Sequence, residues 1–334
     1  MYSRTRAWAW WDRPCQMVLR SHGNRRLKSS MNRTDPNRPR PRGTPGLLEA
    51  PSLSAIVLRR ALDELPAAPK VLQRIESLAA NRLAGLKDYA EAISMDAVIS
   101  ARILRVANSP FFGTSGRVTN ISRAAGILGL QELVRITRAL TVATSFKTQA
   151  RRVAQAHWHH SVRVAVASRE LAKLGSSMHD INQVWTPALM HDIGQLMFAS
   201  MFPQHARAMW DYAKAEGITI GTAEQKLRYP AHDRLGALLC RKWALPGEIE
   251  EVILGVHLAG GTTVQTRRSL LTRVVATADV LVRIFEGGLN PTALDREYAA
   301  AQRLLACDRE GVDRQLRALR EPLQGAGVLA AGFI

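Results

Sequence analysis

From about Leu53 onward the apolar residues recur with the period of a helix, and proline and glycine cut the pattern into pieces of roughly 10–20 residues. Ile99, Ile103 and Val106 stand at i, i+4 and i+7, behind candidate caps at Ser94 or Asp96. Leu133, Ile136, Leu140 and Ala143 form a second stripe, and Val164, Ala167, Leu171 and Leu174 a third. Ala, Leu and Arg favour helix in these segments. No sustained period-2 segment occurs, so no sheet is expected beyond a short hairpin. An all-α fold is therefore expected.

Ionisable side chains interrupt the faces that should point inward. His160 stands one turn before Val164. His191 and Asp192 fall inside the stretch Ala188–Ala199, which is apolar almost all round and reads as one buried helix. Asp279 follows Val275 by one turn, His232 shares a face with Leu235 and Leu239, and His257 with Ile249 and Ile253. Burying an isolated charge of this kind costs several kcal/mol unless it is paired, hydrogen-bonded or metal-bound. The economical expectation is that the six meet. Four imidazoles and two carboxylates suit a divalent metal with mixed nitrogen and oxygen ligands; a His–Asp hydrogen-bond network would satisfy the same groups. Adjacent residues on a helix diverge by about 100°, so His191 and Asp192 share one centre only by reaching across.

Charge and cysteine content narrow the function classes. The net charge is +18 over 334 residues. Residues 1–50 hold 11 basic and 3 acidic side chains, and Arg33 to Gly46 has proline, glycine and arginine without apolar periodicity. A disordered basic tail is expected there, and Met31 is an alternative start. Basic pairs such as Arg59-Arg60, Arg151-Arg152 and Arg267-Arg268 permit nucleic-acid binding. No recognition motif accompanies them, so nucleic acid is not expected as a partner. Cys15, Cys240 and Cys307 lie far apart, which excludes a disulfide framework or thiolate zinc site and fits a reducing, cytoplasmic setting. No apolar run reaches the ~18–20 residues of a membrane span.

His160, the pair His191-Asp192 and Asp279 match the H…HD…D pattern of the HD superfamily of metal-dependent phosphohydrolases. Further blocks narrow the match: Leu65-Pro66-Ala67-Ala68-Pro69, Ile93-Ser94-Met95-Asp96, Ala101 to Gly113 (ARILRVANSPFFG), Ala124 to Leu130 (AAGILGL), His160-Ser161 and His191-Asp192-Ile193-Gly194. In this order they resemble the HDOD domain, the HD-related output domain of bacterial signalling proteins, over about residues 55–285.

The resemblance implies an N-terminal helical subdomain (51–150) packed on an HD-like helical bundle (151–290), followed by a C-terminal helical extension (291–334). It implies a regulatory module of bacterial signal transduction, acting through signalling partners or a bound ligand such as a nucleotide or cyclic dinucleotide, without catalytic residues. The metal set it implies is His160, His191, Asp192 and Asp279, with His232 and His257 in positions similar to two further histidines of the HD-GYP phosphodiesterases. Mn, Fe or Mg is the expected ion. A metal-dependent phosphohydrolase is the alternative. Against it, Leu258 replaces the second histidine of the HD-GYP pair, Leu258 to Thr263 (LAGGTT) replaces the GYP segment, and Gln195 stands where that group has lysine.

Overall fold

The computed structural model describes residues 63–330, apart from 64, 66, 110–111, 113–116, 147, 175–180 and 258–268. The basic tail, Phe111 and the segment 258–263 therefore lie outside the described residues.

Among the described residues every regular element is helical. The first group comprises Lys70–Ala80 (α1), Leu86–Ser94 (α2), Ala97–Ala107 (α3), Ile121–Leu128 (α4) and Leu130–Ser145 (α5). Asp96, not Ser94, caps α3, its carboxylate accepting from the backbone N–H groups of Val98 and Ile99 at 3.0 Å. Behind that cap Ile99, Ile103 and Val106 are buried as their spacing requires. Each such side chain contributes about 1.5–3 kcal/mol of apolar transfer. Asn108 ends α3 and clamps the chain ten residues on: its amide donates to the Leu104 and Val118 carbonyls and accepts from the Val118 N–H. Phe112 packs partly buried against the core. Arg138 on α5 forks onto Glu76 on α1 at 2.6 and 2.8 Å.

The second group is built around Arg151–Leu174 (α6), a 24-residue helix. It continues through Trp185–Met190 (α7), Ile193–Met201 (α8), Pro203–Glu216 (α9), Ile220–Leu227 (α10), His232–Lys242 (α11), Gly247–Val256 (α12) and Leu270–Glu286 (α13). Pro291–Leu305 (α14) and Arg309–Ala330 (α15) close the described chain. The long helix α6 packs against α7, α13 and α15, and α5 packs against α7, so the first group of helices joins the second beside the histidine-bearing segments. Val164, Ala167 and Leu171 are buried, but Leu174 is 45% exposed, because the stripe drifts out of the core at the end of the helix. No helix of the described residues is long and apolar enough to cross a membrane.

The stretch Ala188–Ala199 is not one helix. It breaks at His191-Asp192, where Asp192 leaves helical geometry (φ −109°, ψ 13°) and α8 begins one residue later. The break lets α8 approach α11 backbone to backbone. A Cβ on Gly194 would stand 1.9 Å from the His232 carbonyl oxygen and 2.8 Å from the Gly236 nitrogen. Only glycine permits this contact, which sets His232 beside Asp192.

The Gly194→Ala variant is expected to lose about 3 kcal/mol or more in urea unfolding, since backbone cannot step aside as a side chain does. Gly126→Ala, on α4 with open space around its Cβ, is expected to be neutral or stabilising by up to about 1 kcal/mol. Equal midpoints for the two variants would contradict this packing.

Candidate metal centre

The break between α7 and α8 removes the geometric objection to the HD pair. His191 stands at the end of α7 and Asp192 at the start of α8, and the His191 Nε2 lies 3.4 Å from the Asp192 Oδ1. His232 opens α11 and His257 follows the last residue of α12. Only His160 and Asp279 occupy helix interiors, on α6 and α13. Four of the six predicted side chains thus sit at helix ends, where the changing backbone aims them at one centre.

Asp192 is the shared point. Its Oδ1 lies 2.9 Å from His257 Nε2 and 3.1 Å from His232 Nε2, and its Oδ2 accepts from the Gln195 amide at 2.6 Å. His232 and His257 face each other with their Nε2 atoms 2.8 Å apart. The second carboxylate, Asp279, receives the His160 Nε2–H on Oδ1 at 3.2 Å, and Arg283 pairs with its Oδ2. Asp279 Oδ1 also stands 3.8 Å from His191 Nε2. His191 and Asp279 are fully buried, Asp192 and His232 nearly so, and His160 and His257 form the rim.

Residues outside the predicted set fix the orientation of three rings. The Nδ1–H of His160 donates to Glu286 at 2.9 Å, that of His191 to the Ala188 carbonyl at 2.7 Å, and that of His232 to Glu224 at 2.8 Å. Each bond holds Nδ1 as the outward donor and turns Nε2 toward the carboxylates. Glu286 is itself held by Arg163 at 2.8 Å. Arg283 and Glu286 follow Asp279 by four and seven residues on α13, so the helical period contains a signal for them. Glu224, in the polar run Glu224-Gln225-Lys226, carries no such signal; only the packing of α10 buries it.

The charges follow this geometry. Burial works against a charge on His160, but Glu286 and Asp279 outweigh it and raise its pKa to about 10. Burial likewise opposes a charged His232, yet Glu224 and Asp192 hold its pKa well above the ordinary value. Burial favours the acid forms of Asp192 and Asp279; the surrounding histidines in the first case, and Arg283 with His160 in the second, keep both ionised. His191 is the exception, its pKa pushed down by burial.

His191 supplies the test of what fits here. With Nδ1–H committed to Ala188, its Nε2 is a bare lone pair, buried and without a hydrogen-bond partner. It faces Asp192 Oδ1 and Asp279 Oδ1, which are also acceptors. Three electron-rich atoms so placed can hold a cation between them. Two overlapping groups, His160–His191–Asp192 and Asp192–His232–His257, each bring their donor atoms within 4.8 Å of one another. The residues fit a divalent ion.

The profile of the HDOD domain family matches residues 65–259. This chain belongs to the HDOD domain family. Its fold is similar to that of an HDOD domain protein of unknown function from Geobacter sulfurreducens, with TM-score 0.63 and 22% identity over 81% of this chain and 95% of that one. It is also similar to a candidate phosphohydrolase from Shewanella amazonensis SB2B, with TM-score 0.61 and 25% identity over 83% of this chain and 98% of that one. A curated relative, an uncharacterized protein of Treponema pallidum (strain Nichols), is 24% identical over 268 residues, 79% of this chain and 50% of its own length. The HDOD chain thus spans about half of that relative.

A further histidine of this HDOD domain borders the centre. His157 lies one turn before His160, buried, with neither ring nitrogen hydrogen-bonded. Burial pushes its pKa down to about 3, against the pull of Asp192. The unfolded chain takes up this proton near pH ~6.5, whereas the folded chain stays neutral far lower. The associated stability is therefore complete above pH ~6.5 and is lost toward pH ~3, at up to about 1.4 kcal/mol per pH unit. His157→Leu is expected to flatten the acid limb of stability between pH ~6 and ~4 in urea titrations. An acid limb as steep as that of the parent would contradict the neutral, buried assignment.

Proposed function

We propose that this chain is a non-catalytic HDOD regulatory module of bacterial signal transduction, working in the cytoplasm, whose HD centre holds a divalent metal through His160, His191, Asp192, Asp279, His232 and His257. The observation that carries the metal is the buried Nε2 lone pair of His191, which has no hydrogen-bond partner and faces one oxygen of each carboxylate. When bound, the ion would supply positive charge to a cluster otherwise balanced by protons on histidine. It would also join α6, α7, α8, α11, α12 and α13 at one point, and so favour one arrangement of the surface those helices present to signalling partners.

Two features support a regulatory rather than a hydrolytic role. Gln195, at the position where the HD-GYP group has lysine, is bonded to Asp192 and serves to orient that ligand. Arg163 and Arg283 are committed to Glu286, Glu297 and Asp279. A second reading, a metal-dependent phosphohydrolase acting on a nucleotide or cyclic dinucleotide, is favoured by the two overlapping donor groups that share Asp192. The description of the Shewanella protein points the same way. In that reading the metal would lower the pKa of a bound water and polarise a phosphoryl oxygen.

The test uses the full chain purified without chelator. Metal analysis is expected to find at least one equivalent of Mn, Fe or Mg, and none in His191→Ala. Chelation is expected to lower the melting temperature by about 2–4 °C, with recovery on adding Mn²⁺. Assays with cyclic-di-GMP and an aryl phosphodiester are expected to show no turnover. Metal-free protein whose melting is indifferent to chelator would overturn the proposal; turnover that requires His191 would establish the second reading in its place.

A further inference from the structure

Asp279 is the more deeply buried of the two carboxylates at the centre, and a cation already touches it. Arg283, one turn later on α13, pairs through Nη1 with Asp279 Oδ2, while Asp279 Oδ1 is turned toward His160 and His191. The other side of the same guanidinium reaches away from the centre: its Nε donates to Glu297 on α14 at 3.0 Å. Arginine keeps its charge at any working pH. The charge that Arg283 places beside Asp279 therefore changes only if the guanidinium moves between its two carboxylates.

The energetic consequence concerns whatever else would bind Asp279. In this buried setting a guanidinium in contact with one carboxylate oxygen offsets much of the field that would draw a second cation. Glu297 acts in the opposite sense, because it shares the guanidinium and draws it outward. Both Arg283 and Glu297 lie beyond residue 259, where the family profile ends. Arg283 stands one contact from the predicted ligand Asp279, and Glu297 two.

We propose that Arg283 is a tethered competitor for the metal at Asp279, and that Glu297 on α14 sets the strength of the competition. Arg283 and Glu297 are positioning residues, and the ligand they regulate is a divalent cation. Displacing α14 would send Arg283 wholly onto Asp279 and weaken metal binding without touching a ligand. The helices after α13 thereby acquire a route to the HD centre. This inference rests on the metal reading of that centre.

The experiment is a Mn²⁺ titration of the full chain by calorimetry, comparing the parent with Arg283→Gln and Glu297→Gln. Arg283→Gln is expected to bind Mn²⁺ about tenfold tighter, and Glu297→Gln several-fold weaker. A pair that merely supports the fold would weaken binding in both variants, so opposite signs distinguish the two roles. Arg283→Gln binding no tighter than the parent overturns the proposal. Should that variant fail to fold without metal, Arg283→Met, which also removes the charge, takes its place, and binding no tighter than the parent overturns the proposal. A parent protein that binds no Mn²⁺ removes the metal reading itself, and this inference with it, whereas a parent that binds while the variants do not shift removes only the inference.

Discussion

Three hydrogen bonds made on the outside of the centre decide what it presents inside. His160, His191 and His232 commit Nδ1–H to Glu286, the Ala188 carbonyl and Glu224, and so each turns Nε2 toward Asp192 or Asp279. An imidazole has one donor and one acceptor when neutral. With the donor used outward, the inward nitrogen is a ligand, or it must take up a second proton. His160 and His232, flanked by carboxylates on both sides, are held as imidazolium. His191, flanked on the outside by a neutral carbonyl, keeps its lone pair. The difference between the rings comes from the group that each Nδ1 touches.

The fold makes these bonds possible by bringing backbones unusually close. Gly194 lets α8 lie against the first turn of α11, and the break at Asp192 turns a run that would diverge by about 100° per residue into two side chains aimed at one point. A cluster of buried charge is expensive unless every member is paired. Here the pairing extends outward through Glu224, Glu286, Arg163, Arg283 and Glu297, so the charged network spans from the centre to α14. Such a network favours one arrangement of helices over others that bury the same apolar area.

Much of this is legible in the sequence. The apolar period carries the all-helical class and the buried faces of α3, α5 and α6. The HDOD resemblance, borne by its motif blocks, agrees with the match over residues 65–259. The six candidate side chains stand out because ionisable groups on apolar faces are costly, and the structure brings all six together. What the periodicity does not contain is the chain leaving the helix: Ala188–Ala199 looks continuous because both halves are apolar, and nothing local marks Asp192 as a break. Glu224 escapes for a related reason. A glutamate among polar neighbours on a short helix reads as solvated until tertiary packing covers it. Leu174 shows the converse error, an apolar residue in register whose helix has already run past the core.

The orientation of the rings can be measured directly by nuclear magnetic resonance on nitrogen-labelled protein loaded with cadmium, a diamagnetic ion that couples to its ligand nitrogens. Rings anchored outward through Nδ1–H require cadmium coupling at the Nε2 atoms of His160, His191 and His232, with protons retained at all three Nδ1 positions. Coupling through Nδ1, or rings that keep a proton on Nε2 in the presence of cadmium, would contradict this arrangement.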